Sequence, residues 1–114
     1  MMNIPVPADR TKEQTGHVYA LLSTDGLVKI GRTKNPKPRI RAISTHTGRD
    51  FVRVYVSPPT IAYAGLERSL HEMFAADRIR GEWFRVGIDD VIDAIGKTLI
   101  PEAQLQSTEQ KQLI

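Results

Sequence analysis

The chain has no cysteine, which excludes disulfides, a thiolate nucleophile and cysteine-ligated zinc together. That absence suits a reducing compartment, and a cytoplasmic location is expected. Long apolar runs are missing too. Hydrophobic residues make up 40% of the 114, enough for a globular core but not arranged as a membrane span. The opening stretch, Met1 to Arg10, lacks the apolar segment of an export signal, so none is expected. Acid is missing from one telling place: Lys29 to Arg41 holds six Lys or Arg residues and no Asp or Glu. The formal charge of +3 says little by itself. The local bias, set against Asp89, Asp90 and Asp93 further on, points to an anionic partner on one face.

The apolar residues that are present fall into short, punctuated segments. Residues 16–23 and 27–31 are rich in Val, Leu, Ile and Tyr and read as strands, with Thr24-Asp25-Gly26 between them. Asn35 suits a helix N-cap and Pro36 the first helical position. The helix should run to about His46 with Ile40 and Ile43 inward, and stop at Gly48. Residues 50–56 alternate as a third strand. Thr60 then offers an N-cap to a helix burying Leu66, Leu70, Met73 and Phe74. Residues 81–86 read as a short extended piece, and Ile88, Val91, Ile92, Ile95 and Leu99 mark a last amphipathic helix. The expectation is an α+β fold, a three-stranded antiparallel sheet flanked by helices over residues 16–99. A flexible arm (1–15) precedes it and a mobile tail (100–114) follows.

Loop length decides whether Tyr19 and Lys29 meet, because strand side chains alternate faces. A two-residue Asp25-Gly26 turn would separate them. A three-residue loop pairs Tyr19 with Gly31 and Leu21 with Lys29, bringing the phenol and the ammonium to one face. Gly26 is placed to supply the left-handed residue such loops use, and the three-residue form is expected. Gly31 opposite Tyr19 then leaves space beside the phenol.

The result is a phenol, an ammonium and several guanidiniums gathered beside a helix start, a setting suited to gripping a phosphodiester. A phenol acts as a base near neutrality only beside positive charge, for which Lys29, Arg32 and Arg39 are candidates. Arg39, in the first helical turn, stands where orphan N–H groups attract anions. Glu67 flanks the apolar stripe of its helix with His71 one turn on, a pair that is a solvated i, i+4 contact unless a ligand is near. A zinc at Glu67 and His71 would lack further ligands. Trp83 and Phe84 read as core ahead of base-stacking residues, and Glu82 as an acid that caps or pairs with a basic group, with a supporting role behind a metal as the alternative.

Taken together these motifs resemble the GIY-YIG nuclease superfamily. His17-Val18-Tyr19 stands where Gly-Ile-Tyr would be and Lys29-Ile30-Gly31 where Tyr-Ile-Gly would be. The nearer likeness is to a short phage-associated DNA-binding-type branch, through Val28 to Thr33, Arg39, Leu66-Glu67 with His71, and Gly81 to Phe84. The resemblance implies phosphodiester hydrolysis with one divalent ion, Mg2+ or Mn2+, held by Glu67. It implies Tyr19 as general base or as the group orienting water, Arg39 as the phosphate brace, and Lys29 and His71 as catalytic partners. Lys29 replaces the second Tyr, as in some restriction-enzyme relatives, and the family's late Asn has no counterpart. Arg32, Lys34, Lys37 and Arg41 are expected to track the DNA backbone.

The leading expectation is therefore a metal-dependent DNA endonuclease or nickase. Its rivals are a non-catalytic DNA-binding module of the same fold and a phage-type protein that binds a host protein. A domain this small reads little sequence, so targeting would call for a homodimer or a protein partner.

Overall fold

The computed structural model describes residues 15–99. The expected arm and tail lie outside the described residues, Thr15 apart. Five strands and three α-helices follow in the order β1 (His17–Ser23), β2 (Val28–Thr33), α1 (Pro36–Thr47), β3 (Phe51–Val56), α2 (Tyr63–Met73), β4 (Arg78–Arg80), β5 (Trp83–Phe84) and α3 (Ile88–Leu99). A short 3-10 turn, Ala75–Asp77, links α2 to β4. The sheet is antiparallel throughout, in the order β3-β1-β2-β5-β4.

β1 lies inside the sheet and is apolar on both faces. Val18 and Ala20, with Val28 and Ile30 of β2, pack beneath α2 and α3 through Leu66, Leu70, Val91 and Ile95. Tyr19 and Leu21 face the other way, onto Ile43 of α1, with Ile40, Phe51 and Val56 around them. One helix thus covers one face and two cover the other. No helix among the described residues is long and apolar enough to cross a membrane.

The expected three strands are joined by two more. Gly81, at φ 55, lets the chain reverse tightly between β4 and β5. The Ile30 N–H donates to the Glu82 carbonyl at 2.9 Å, stitching the reversal to β2. Of the extended piece 81–86 only Trp83 and Phe84 are strand. Thr60 does not cap α2. Its backbone bridges Gly16, its hydroxyl accepts the Ala62 N–H at 3.1 Å, and the helix starts at Tyr63. Asn35 is the α1 N-cap residue but makes no side-chain cap. Instead its N–H donates to the Thr33 hydroxyl at 3.1 Å. Met73 is 57% exposed, because the helix ends there and the chain swings into the 3-10 turn, away from the sheet. Gly48 closes α1 in the left-handed conformation.

The β1–β2 loop has three residues, with Tyr19 opposite Gly31 and Leu21 opposite Lys29. The Ser23 N–H donates to Leu27 O, and Gly26 takes φ 88. Asp25 clamps this loop, accepting from the Ser23 hydroxyl and, at 2.6 Å, from Arg49. These two bonds, Ser23 first, hold the Asp25 carboxyl down at about 2. A depressed acid stabilises the fold above its ordinary range and loses that contribution as pH falls toward the folded-state value. Asp25→Asn is thus expected to lower the urea midpoint at neutral pH, with the gap to the intact chain closing as pH approaches 2.

Candidate active site

Gly31 is the pivot of the site. A Cβ built there would lie 2.3 Å from the Tyr19 hydroxyl and 2.4 Å from its Cζ, so the phenol occupies the space the glycine vacates. Tyr19 is 1% exposed and hydrogen-bonded to Arg39, which reaches down from the first turn of α1. Burial pushes the phenol above its ordinary range. The Arg39 bond opposes this, and the Glu82 and Glu67 carboxylates add to the rise. The expected activation by neighbouring cations is outweighed here, because desolvation penalises the phenolate more than one guanidinium favours it.

Lys29 shares that face, but its ammonium is engaged. Nζ lies 3.0 Å from Glu82 Oε1 and 5.4 Å from the centre of the Trp83 ring. Glu82 lies close enough to Glu67 of α2 for the two carboxyl groups, from separate elements, to interact. Glu67 is 14% exposed and its Oε1 receives Arg32 Nε at 3.1 Å. Burial raises its carboxyl pKa, Glu82 raises it further, and Arg32 offsets part of the shift.

His71 is fully partnered. Arg78 donates to its Nδ1 at 3.0 Å, which leaves the proton on Nε2 for Ile30 O at 2.9 Å. The ring sits edge-on to Phe84, 5.1 Å between centres. It ties α2 to β2 and keeps Glu67 in reach, with neither nitrogen left to ligate a metal. Arg32 is taken up by Glu67 and, 5.8 Å away, by the Tyr63 ring. Lys34, Lys37 and Arg41 are exposed on the loop and on α1, and none lines the clefts described below.

Two clefts flank the cluster. One of about 380 Å³ is lined by Arg32, Glu67, Arg68, His71 and Arg78 among others. One of about 250 Å³ is lined by Lys29, Arg39, Ala42, Ile43, His46 and Thr47.

The donor set fits a hard divalent cation. Magnesium commonly takes one or two carboxylates and completes its shell with phosphate oxygen and water, and the neighbouring pair Glu67 and Glu82 is such a set. No group of three or more His, Cys, Asp or Glu residues suited to a metal occurs among the described residues, so most of the shell of any cation there would come from phosphate and water.

The sequence reading gave Glu82 as the partner of a basic group, which Lys29 proves to be, but did not place it beside Glu67, and it missed Arg68, Arg78 and His46 as cleft walls. The available signal for Glu82 was its place between a turn glycine and an aromatic pair. Arg68 follows Glu67 on α2 and His46 stands two turns from Arg39 on α1, so helical spacing could have found both, whereas Arg78 reaches the site through strand order.

Comparison with known proteins gave no match among curated proteins and none among solved structures. The model of the T5orf172 domain matches residues 16–99, the span from the strand that carries Tyr19 to the last helix. The chain belongs to the T5orf172 domain family, a phage-associated group.

Proposed function

We propose that the chain is a DNA endonuclease or nickase of GIY-YIG type that depends on Mg2+ or Mn2+. Family membership supports a nuclease-like or DNA-binding role. The observation that carries the finer reading is that Arg39, Glu82 and Glu67 all act on the Tyr19 phenol, drawn from α1, the β4–β5 turn, α2 and β1.

In this reading Arg39 braces a phosphate, a contact that strengthens as charge moves in the transition state. Tyr19 keeps its proton and its burial. With Arg39 donating to the phenol oxygen, it acts by holding that guanidinium in place. Lys29 positions Glu82 through their ion pair, and His71 positions Glu67. Glu67 and Glu82 hold the cation, which supplies Lewis acidity and an activated water when bound. The Arg32–Glu67 ion pair is the observation that favours the rival, a DNA-binding module without catalysis, because it satisfies the carboxylate without a metal.

Supercoiled plasmid incubated with Mg2+ or Mn2+, against an EDTA control, separates the two. Nicking by the intact chain that EDTA abolishes supports the enzyme, and binding without nicking under every condition supports the module. Tyr19→Phe is expected to lower kcat by roughly 10²-fold, as for a slightly misplaced catalytic group, with the alkaline limb of the pH–rate profile unmoved. A limb that shifts would make the phenol the base after all.

A further inference from the structure

The smaller cleft holds more than the site needs. Three of its six lining residues, Lys29, Arg39 and His46, are basic, and none is acidic. Arg39 and His46 sit seven residues apart on α1, roughly 10 Å along the helix axis, too far to share the oxygens of one phosphate. Ala42 and Ile43 line the cleft between them, so it runs as a trough along the helix. Lys29 closes one wall and is kept there by Glu82 and Trp83. Lys34, Lys37 and Arg41 lie elsewhere. We propose that this trough carries the DNA strand onward from the phosphate braced by Arg39, and that His46 contacts the next phosphate along the strand.

The inference rests on the nucleic-acid reading of the site but not on catalysis, so the two fail separately. His46 also suits the last turn of α1, where a basic group favours the helix dipole. Affinity and stability are therefore measured side by side. The experiment uses the full chain with a fluorescein-labelled single-stranded DNA oligonucleotide in EDTA, so that binding is read without cleavage. His46→Lys and His46→Glu both keep an exposed, helix-compatible side chain.

His46→Glu is expected to weaken binding by about tenfold, because it sets a carboxylate against a phosphate. His46→Lys is expected to retain or improve it. The slope of log affinity against log salt should be steeper by roughly 0.7 in the Lys variant than in the Glu variant, the value for one phosphate neutralised on a single strand. Replacing phosphates one at a time by neutral methylphosphonate should erase the difference between the two variants at a single position. These effects uphold the trough whether or not the intact chain nicks plasmid with Mg2+ or Mn2+. Equal affinities and slopes for the two variants overturn the trough, even if the intact chain nicks plasmid. So do melting temperatures that move while affinity does not, a difference that survives methylphosphonate at every position, and an intact chain that does not bind the oligonucleotide.

Discussion

Glu67→Gln is expected to cut metal-dependent nicking by roughly 10²–10⁴-fold while making the protein harder to unfold. Both effects have one origin. The Glu67 carboxyl is raised by burial and by the neighbouring Glu82, so the folded chain prefers it protonated. Such a group carries its full stabilising contribution below the unfolded value and loses it as pH rises through the folded one. Above the unfolded value, burial and the nearness of Glu82 therefore make the charged form of Glu67 a cost to the folded protein. Glutamine mimics the protonated acid and relieves it. Thermal melts should place Glu67→Gln above the intact chain at pH 7, with the gap closing on acidification. Mg2+ should raise the melting temperature of the intact chain by linkage and leave that of the variant unmoved. A variant that is less stable at pH 7, or that still nicks at the intact rate, would mean Glu67 serves only as the partner of Arg32.

Gly31→Ala should do the greatest structural damage of any single methyl group at the site. The new Cβ would fall 2.3 Å from the Tyr19 hydroxyl and 2.4 Å from Cζ, contacts no rotamer adjustment of a buried ring relieves. Overpacking of this kind costs about 1–3 kcal/mol, seen as a lower urea midpoint at unchanged slope. Adding Tyr19→Phe should not rescue it, because the Cζ clash remains. Adding Tyr19→Leu, which removes the far end of the ring, should restore part of the midpoint but none of the nicking. Rescue by Tyr19→Phe would show that the hydroxyl alone fills the gap.

Short-range chemistry made the central elements legible. Gly26, Pro36 and Gly48 mark the β1–β2 turn and the ends of α1, and loop length by itself set the register that puts Tyr19 against Gly31. The amphipathic stripe of Ile88, Val91 and Ile95 found the last helix for the same reason, since periodicity is a local property. β4 escaped detection because Arg78–Arg80 is exposed along its whole length and carries no apolar alternation. The N-cap assigned to Thr60 failed because a long-range backbone bridge to Gly16 claimed that residue first.

Which residue types stand at Tyr19, Arg39 and Glu67, and which face of its strand or helix each occupies, the sequence determined alone, because period, turn length and capping act within a few residues. The sheet order β3-β1-β2-β5-β4 was decided only by tertiary structure. That order brings Glu82 against Glu67 and Lys29, seats Arg39 on a buried phenol, and gives His71 two partners from other elements. Desolvation then reverses the direction in which the phenol was expected to titrate. Burial and electrostatic contact depend on what the rest of the chain places nearby, and no local pattern encodes that.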